Sequence, residues 1–275
     1  HYTPASDALK AKKIMIVGAG PAGLEAACVL ARRGLNPVVI DNKPQAGGLM
    51  DIASVPPFKS NMNRITDYRV AFLAQKGIEI RLNTTVDEAL LKAEKPDIVF
   101  VATGSKPAVP PIKGIDSANV LIADDVLHGA AVPGTHIAVL GAGLVGAETA
   151  EYLSEQGKEI EIFDFIHDIA PEFNKARRRF LVKRIDERGI RKHMNSKIVE
   201  IALPNITFET DGKVQTIGGF DAMILAAGRR ANNSLAALIG ESFPDIELHV
   251  IGDAVKASTA IEAIAAAALE AAALK

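Results

Sequence analysis

Two glycine triplets, each followed at the same distance by an acid, are the residues of this chain best suited to chemistry. Gly18, Gly20 and Gly23 lie in VGAGPAG, Gly141, Gly143 and Gly146 lie in LGAGLVG, and the acids are Asp41 and Asp164. In this spacing the first glycine permits a tight strand-to-helix turn, the second lets backbone approach a pyrophosphate, and the third allows close helix-strand packing. Freed amides at the helix start then bind phosphate, and an acid ending the next strand accepts hydrogen bonds from a ribose. The chemistry indicated is dinucleotide binding, written twice.

The duplication extends well beyond the triplets. KKIMIVGAGPAGLEAACVLARRGLNPVVID and THIAVLGAGLVGAETAEYLSEQGKEIEIFD match without a gap at an offset of 123 residues, aligning Ala27 with Ala150 and Gly34 with Gly157. PDIVFVATGSKP and FDAMILAAGRRA repeat at an offset of 124. Two such units in one polypeptide imply two dinucleotides meeting across an interface, hence electron transfer.

The elements that must position these residues follow from the same segments. IMIV and IAVL are short apolar runs ending at glycine, as expected of buried parallel strands. Helices are predicted from Pro21 to about Arg33, stopped by Gly34, and from about Leu144 to Gln156. The first carries an apolar stripe of Leu24, Ala27, Cys28 and Ala31. PVVID and IEIFD are the next strands, so each copy opens a βαβ dinucleotide-binding fold. An amphipathic segment spans Ile65 to Leu73, KGIEIRLNTTV and ERGIRKHMNSKIVEI read as counterpart strands, and a last helix runs from about Ser258 to Leu274. The fold class expected is α/β, with two Rossmann-like domains, the second inserted into the first. The first would take 11–110 plus 221–275 and the second 111–220, with Pro107, Pro110 and Pro111 marking the exit. Residues 1–10 read as a linker or expression remnant, and the chain as a fragment of something longer.

Composition narrows the partners. The 275 residues suit two cores, and Lys+Arg 31 against Asp+Glu 33 gives a net charge of -2, so no basic field argues for nucleic acid or an anionic membrane. The apolar run AIAAAALEAAAL is too weak for a membrane span, and a soluble, cytoplasmic protein is expected. Cys28 is the sole cysteine, which excludes an intrachain disulfide, a CxxC pair and a four-cysteine cluster. It is expected to be a buried packing residue. Asp164 would repel a 2′-phosphate, which favours NADH over NADPH. The basic stretch KARRRFLVKRIDERGIRK reads as the solvated face of an amphipathic helix, with a phosphate clamp or docking face as the sharper alternatives.

GAGPAGLEAA, ATGSKP, GAGLVGAETAEYL, AAGRRAN and VIGDA, in this order, resemble the two-dinucleotide-binding-domain flavoproteins. GGLMDIASVPPFK, TGSKPAVPPIKGI, IADDVL and GRRANN further resemble the C-terminal half of the 2-enoate reductase and 2,4-dienoyl-CoA reductase family, relatives of old yellow enzyme and trimethylamine dehydrogenase. The resemblance covers nearly everything from Lys12 onward. It implies FAD on the first copy, with Gly18, Gly20, Pro21, Ala22 and Gly23 at the pyrophosphate, Asp41 at the adenosine ribose, and Asn42 and Lys43 also at the cofactor. Gly47, Gly48 and Leu49 would approach the flavin, Val86 the adenine, and Ala102, Thr103 and Gly104 would line the cofactor. Gly252 and Asp253 would hold the ribitol or a phosphate, and the following helix would turn its positive end to the flavin's pyrimidine side. On the second copy, Gly141, Gly143, Leu144, Val145 and Gly146 would bind the NADH pyrophosphate, Asp164 the ribose, and Gly228 would complete the set. Glu148 matches a position near the nicotinamide, although its twin Glu25 allows simple helix packing or solubility as the explanation.

The departures limit what is carried over. The family's N-terminal flavin-binding barrel and four-cysteine iron-sulfur segment are not in this chain, so alkene reduction is not implied. Some barrel-containing relatives hold only an ADP moiety at the first site. The reading is an FAD-dependent NAD(P)H oxidoreductase module, a piece of an enoate-reductase-like or NADH oxidase-like enzyme, passing hydride from NADH to flavin and electrons to an acceptor domain or subunit outside this chain. No side-chain acid, base, nucleophile or metal is required, because the cofactors supply the chemistry. The alternatives are a stand-alone NADH-dependent reductase of a small protein or quinone, and a non-catalytic ADP-binding docking module.

Overall fold

The structure, a computed structural model, describes residues 2–275. Helix α1 (Asp7–Lys10) precedes β1 (Ile14–Val17), α2 (Pro21–Arg32) and β2 (Val38–Ile40). Then come α3 (Met50–Ala53), α4 (Arg64–Gln75), β3 (Ile80–Arg81), α5 (Glu88–Glu94), β4 (Ile98–Val101) and β5 (Ser105–Pro107). The chain continues through β6 (Val120–Ile122), α6 (Ala123–Leu127), β7 (His136–Leu140), α7 (Leu144–Glu155), β8 (Glu159–Phe163) and α8 (Lys175–Glu187). Strands β9 (Arg191–His193), β10 (Ser196–Ala202), β11 (Asn205–Thr210), β12 (Lys213–Ile217), β13 (Ala222–Leu225) and β14 (Arg229–Ala231) follow. Helix α9 (Ser234–Ser242), β15 (Glu247–Val250) and α10 (Ala260–Ala273) end the order.

The α/β class and its parallel sheets are as expected. One compact unit holds residues 2–54, 61–106 and 230–275, and the other holds 55–60 and 107–229. The first unit's sheet runs β15-β4-β1-β2-β3, the second's β6-β13-β7-β8-β9, and every ladder is parallel. Their shared order matches β1 with β7, β2 with β8 and β4 with β13 as equivalent strands. The return to the first unit therefore falls at 229/230, not at 220/221, because β13 is the second copy's equivalent of β4 and pairs with β6 and β7.

Parallel strands covered on both faces need continuous apolar runs. Ile14–Val17, Ile98–Val101 and Ala222–Leu225 are buried at every position. Helix α2 starts at Pro21, which pre-sets the first helical φ where an N–H has no intrahelical partner. Its buried surface exceeds the predicted stripe, with Ala26, Val29 and Leu30 also fully covered, because α10 packs on it as well. The inward face of α10 is Ala263, Ala267 and Ala271, whose small side chains permit close approach. Buried Arg33 donates to the carbonyls of Ala271 at 2.7 Å and Leu274 at 2.6 Å, satisfying acceptors that a helix end leaves open.

Two strand expectations change. KGIEIRLNTTV yields only the two-residue β3. ERGIRKHMNSKIVEI splits into β9, on the edge of the parallel sheet, and β10, in the antiparallel β10-β11-β12 sheet. Asn195, with φ 52°, reverses the chain between them. Helix α8 is amphipathic as read, burying Leu181 and Ile185. Cys28 is fully buried. Among the described residues, no helix is long and apolar enough to cross a membrane.

Candidate functional site

In the first unit the chain leaves β1 at Gly18, whose φ of 111° disfavours any side chain. A Cβ there would fall 2.3 Å from the Ala102 carbonyl oxygen, and one on Gly23 would fall 1.9 Å from the Gly18 oxygen. Those two glycines are demanded by packing alone. Gly20 differs, since a Cβ there meets only the Gly48 Cα at 3.7 Å. Gly48 has φ 64°, and its own Cβ would stand 2.8 Å from the Gly20 Cα. The backbone of the turn at Gly20 and Gly48 thus carries no side chain. Asp41 Oδ2 accepts the Ala19 amide at 2.6 Å and Oδ1 the Lys43 amide at 2.8 Å.

The remaining first-copy residues divide into two sets. Thr103 Oγ1 donates to the Asn232 carbonyl at 2.5 Å, and Ser105 Oγ to Asp253 Oδ2 at 3.0 Å. Gly252 lies against Ala22, where a Cβ would fall 2.7 Å from the alanine's own. Ala102, Gly104, Gly252 and Asp253 therefore gather beside the glycine turn. Val86 instead packs into the cluster of Met15, Val17 and Ile40, and the Asn42 side chain is exposed. Asp253 sits in a short 3₁₀ turn, Gly252–Ala254, separated from α10. Helix α10 begins at Ala260, close to the expected Ser258, and a capping box between Thr259 and Glu262 engages the amides of those two residues, so they are not open donors for a flavin.

The second unit repeats the turn. Gly141 has φ 117°, a Cβ on it would fall 2.3 Å from the Ala226 oxygen, and one on Gly146 would fall 1.9 Å from the Gly141 oxygen. Asp164 accepts the Ala142 amide at 2.5 Å and the Ile166 amide at 3.2 Å. One feature has no equivalent in the first copy: Glu172 Oε1 accepts the Leu144 amide at 2.9 Å. Val145 is exposed in the first turn of α7, and Gly228 stands in open space.

The twin glutamates Glu25 and Glu148 are both ion-paired. Arg69 Nε donates to Glu25 at 2.6 Å, and Lys59 pairs with Glu148, both residues of that pair belonging to the second unit. Burial pushes the Glu148 carboxyl above its ordinary value, and Lys59 offsets only part of that.

Sequence reading missed a further cluster. Glu161 is almost wholly buried in β8, yet His136 Nε2 lies 2.7 Å from Oε1, His193 Nε2 lies 2.6 Å from Oε2, and Arg191 also donates to Oε1. Burial works against the charge, but bonds from His193, Arg191 and His136 outweigh it and hold the carboxyl below its ordinary range. Phe163 stacks on His193 and Phe220 lies against His136. Only the three-dimensional order of β7, β8 and β9 assembles these residues.

Two glycine turns, each following the first strand of its parallel sheet and each tied to an acid, repeat one geometry in the two units. Residues 12–243 match the family described as pyridine nucleotide-disulphide oxidoreductase, and the chain belongs to it. It is 36% identical over 222 residues to a bilirubin reductase of Mediterraneibacter gnavus (strain CC55_001C), covering 80% of this chain and 34% of that protein. An NADH oxidase of Thermoanaerobacter brockii is 32% identical over 268 residues, covering 96% of this chain and 41% of the relative. Among solved structures, a 2-naphthoyl-CoA reductase in complex with 2-naphthoyl-CoA matches with a TM-score of 0.92 and 29% identity, covering 100% of this chain and 41% of that one. The chain thus spans between a third and a half of the length of these relatives.

Proposed function

We propose that the first unit binds FAD, that the second binds NADH in preference to NADPH, and that the chain is the nucleotide-oxidising part of a larger reductase. The observation that carries this reading is the atom-for-atom repetition of the turn, in which Asp41 takes the Ala19 amide and Asp164 the Ala142 amide. A family that pairs a flavin with a pyridine nucleotide supplies the chemical context. When bound, the flavin supplies a hydride acceptor for reduced nicotinamide and a store from which electrons leave.

The chain's own residues bind and orient. Gly20 and Gly48 leave the backbone bare for the first pyrophosphate, and the amides at the start of α2 face it. Asp41 and Asp164 each hold their turn in shape and keep lone pairs free for a ribose hydroxyl. Asp164 also disfavours a phosphate on that ribose through charge repulsion. Thr103, Ser105 and Asp253 fix the loops beside the first site. Electrons would then pass to an acceptor carried by the additional sequence that the longer relatives possess.

The test is an absorbance spectrum of the protein supplied with FAD, before and after NADH is added without oxygen. A bound-flavin band that bleaches on NADH addition is the expected result. Absence of flavin binding would leave a nucleotide-binding scaffold in place of an oxidoreductase.

A further inference from the structure

The two copies keep a matching backbone bond past their acids and then differ. Gly47 donates its amide to the Ala19 carbonyl at 2.8 Å, and Ala170, 123 residues on, donates to the Ala142 carbonyl at 2.7 Å. The next residues are Gly48 and Leu49 in the first copy, Pro171 and Glu172 in the second. Where Gly48 packs on Gly20, the second copy directs a carboxylate at the helix start instead. Glu172 Oε1 is 2.9 Å from the Leu144 amide and would lie 3.4 Å from a Cβ on Gly143.

The donor itself is particular to the second copy. Leu144 is the first residue of α7, whereas its twin in α2 is Pro21, which has no N–H. Helix α7 has no acid in its first turn and no side-chain cap from Gly143, so Glu172 is the anion standing on its positive end. Among the described residues Glu172 has no cation partner, and the Leu144 amide is its one bonded contact.

We propose that Glu172 is an internal competitor for the phosphate position of the second turn, setting dinucleotide affinity because it must withdraw before a pyrophosphate takes the Leu144 amide. This rests on the reading of the second unit as the NADH site. Because the pyrophosphate is common to NADH and NADPH, Glu172 weakens both equally. Asp164, by contrast, acts on the ribose where the two nucleotides differ.

The experiment measures NADH and NADPH dissociation constants by titration of the FAD-saturated chain, for wild type, Glu172→Gln and Glu172→Ala, together with melting temperatures in the absence of nicotinamide nucleotide. Removing an anion of this kind is expected to tighten both nucleotides by the same factor, about two- to fivefold. The melting temperature should fall slightly as the helix loses its cap. Affinities that are unchanged or weaker in Glu172→Gln overturn the proposal, and that variant keeps a side-chain oxygen able to cap α7 should alanine prove unstable. Failure of NADH to bind wild type and both variants alike would overturn the second-unit reading, and this proposal with it.

Discussion

Asp41 and Asp164 hold the same station in their own units, each accepting the amide of the residue between the first two glycines, Ala19 at 2.6 Å and Ala142 at 2.5 Å. Each also accepts the amide two residues further on, from Lys43 and Ile166. The carboxylate therefore serves the turn as much as any ligand. An ionised carboxylate accepts about four hydrogen bonds. Two are spent on backbone, which leaves two unspent.

Replacing Asp164 by Ala should weaken NADH binding about tenfold or more, given the worth of hydrogen bonds to a charged group. NADPH, which the proposed repulsion by Asp164 would disfavour, should lose much less, so the gap between the two narrows. Titration with both nucleotides checks this, and unchanged selectivity would remove Asp164 from the ribose.

The glycines of the first turn separate into two kinds that substitution can tell apart. Gly23→Ala forces a Cβ into the Gly18 carbonyl at 1.9 Å and should cost about 3 kcal/mol or more in stability. Gly20→Ala meets only the Gly48 Cα at 3.7 Å and should leave stability within about 1 kcal/mol. Gly20→Val is expected to fold and yet fail to take up FAD. Thermal melts beside flavin absorbance distinguish the two effects.

Glu161 makes acid stability measurable. Its folded pKa is depressed, so its stabilisation is present above the ordinary carboxylate value of 4.5 and is lost as pH falls through the lower folded value. Glu161→Gln should be about 2 kcal/mol less stable at pH 7, since charge-assisted bonds to two histidines and Arg191 are weakened. The melting temperature of the variant should then change less than that of wild type between pH 6 and pH 3. Parallel curves would show that the cluster does not govern acid unfolding.

Cys28 should be chemically silent. Burial, with the nearby Glu25 charge second, pushes its thiol up to about 11, and thiolate is the reactive form. Ellman's reagent is expected to leave the folded protein unlabelled at pH 8 and to react after denaturation. Cys28→Ala should retain any NADH-dependent flavin reduction, which a disulfide-type redox role would abolish.

The βαβ openings were legible because glycine spacing and apolar runs are local signals, and the helices from Pro21 and Leu144 lie within a residue or so of expectation. The split between β9 and β10 was not, since its turn signal is only Asn195 and Ser196, without Gly or Pro, within a run otherwise read as one strand. Glu161 looked like an ordinary polar position in EIEIF. Its partners lie 25 and 32 residues away in sequence, on strands whose adjacency only the sheet order reveals. Glu172 also gave no local sign. Extending the repeat alignment eight residues past Asp164 would have set it against Leu49 and exposed the difference.

The placement of β15 and α10 orders events during synthesis. All five strands of the second parallel sheet lie between Val120 and Leu225, so that sheet can close as soon as its own residues have left the ribosome. At the same moment β4 still lacks its outer neighbour, the back of α2 lies open, and Arg33 awaits the carbonyls of Ala271 and Leu274. The unit whose residues are made first is therefore the one completed last. Until then its apolar helix face is a surface that a nascent-chain chaperone would cover.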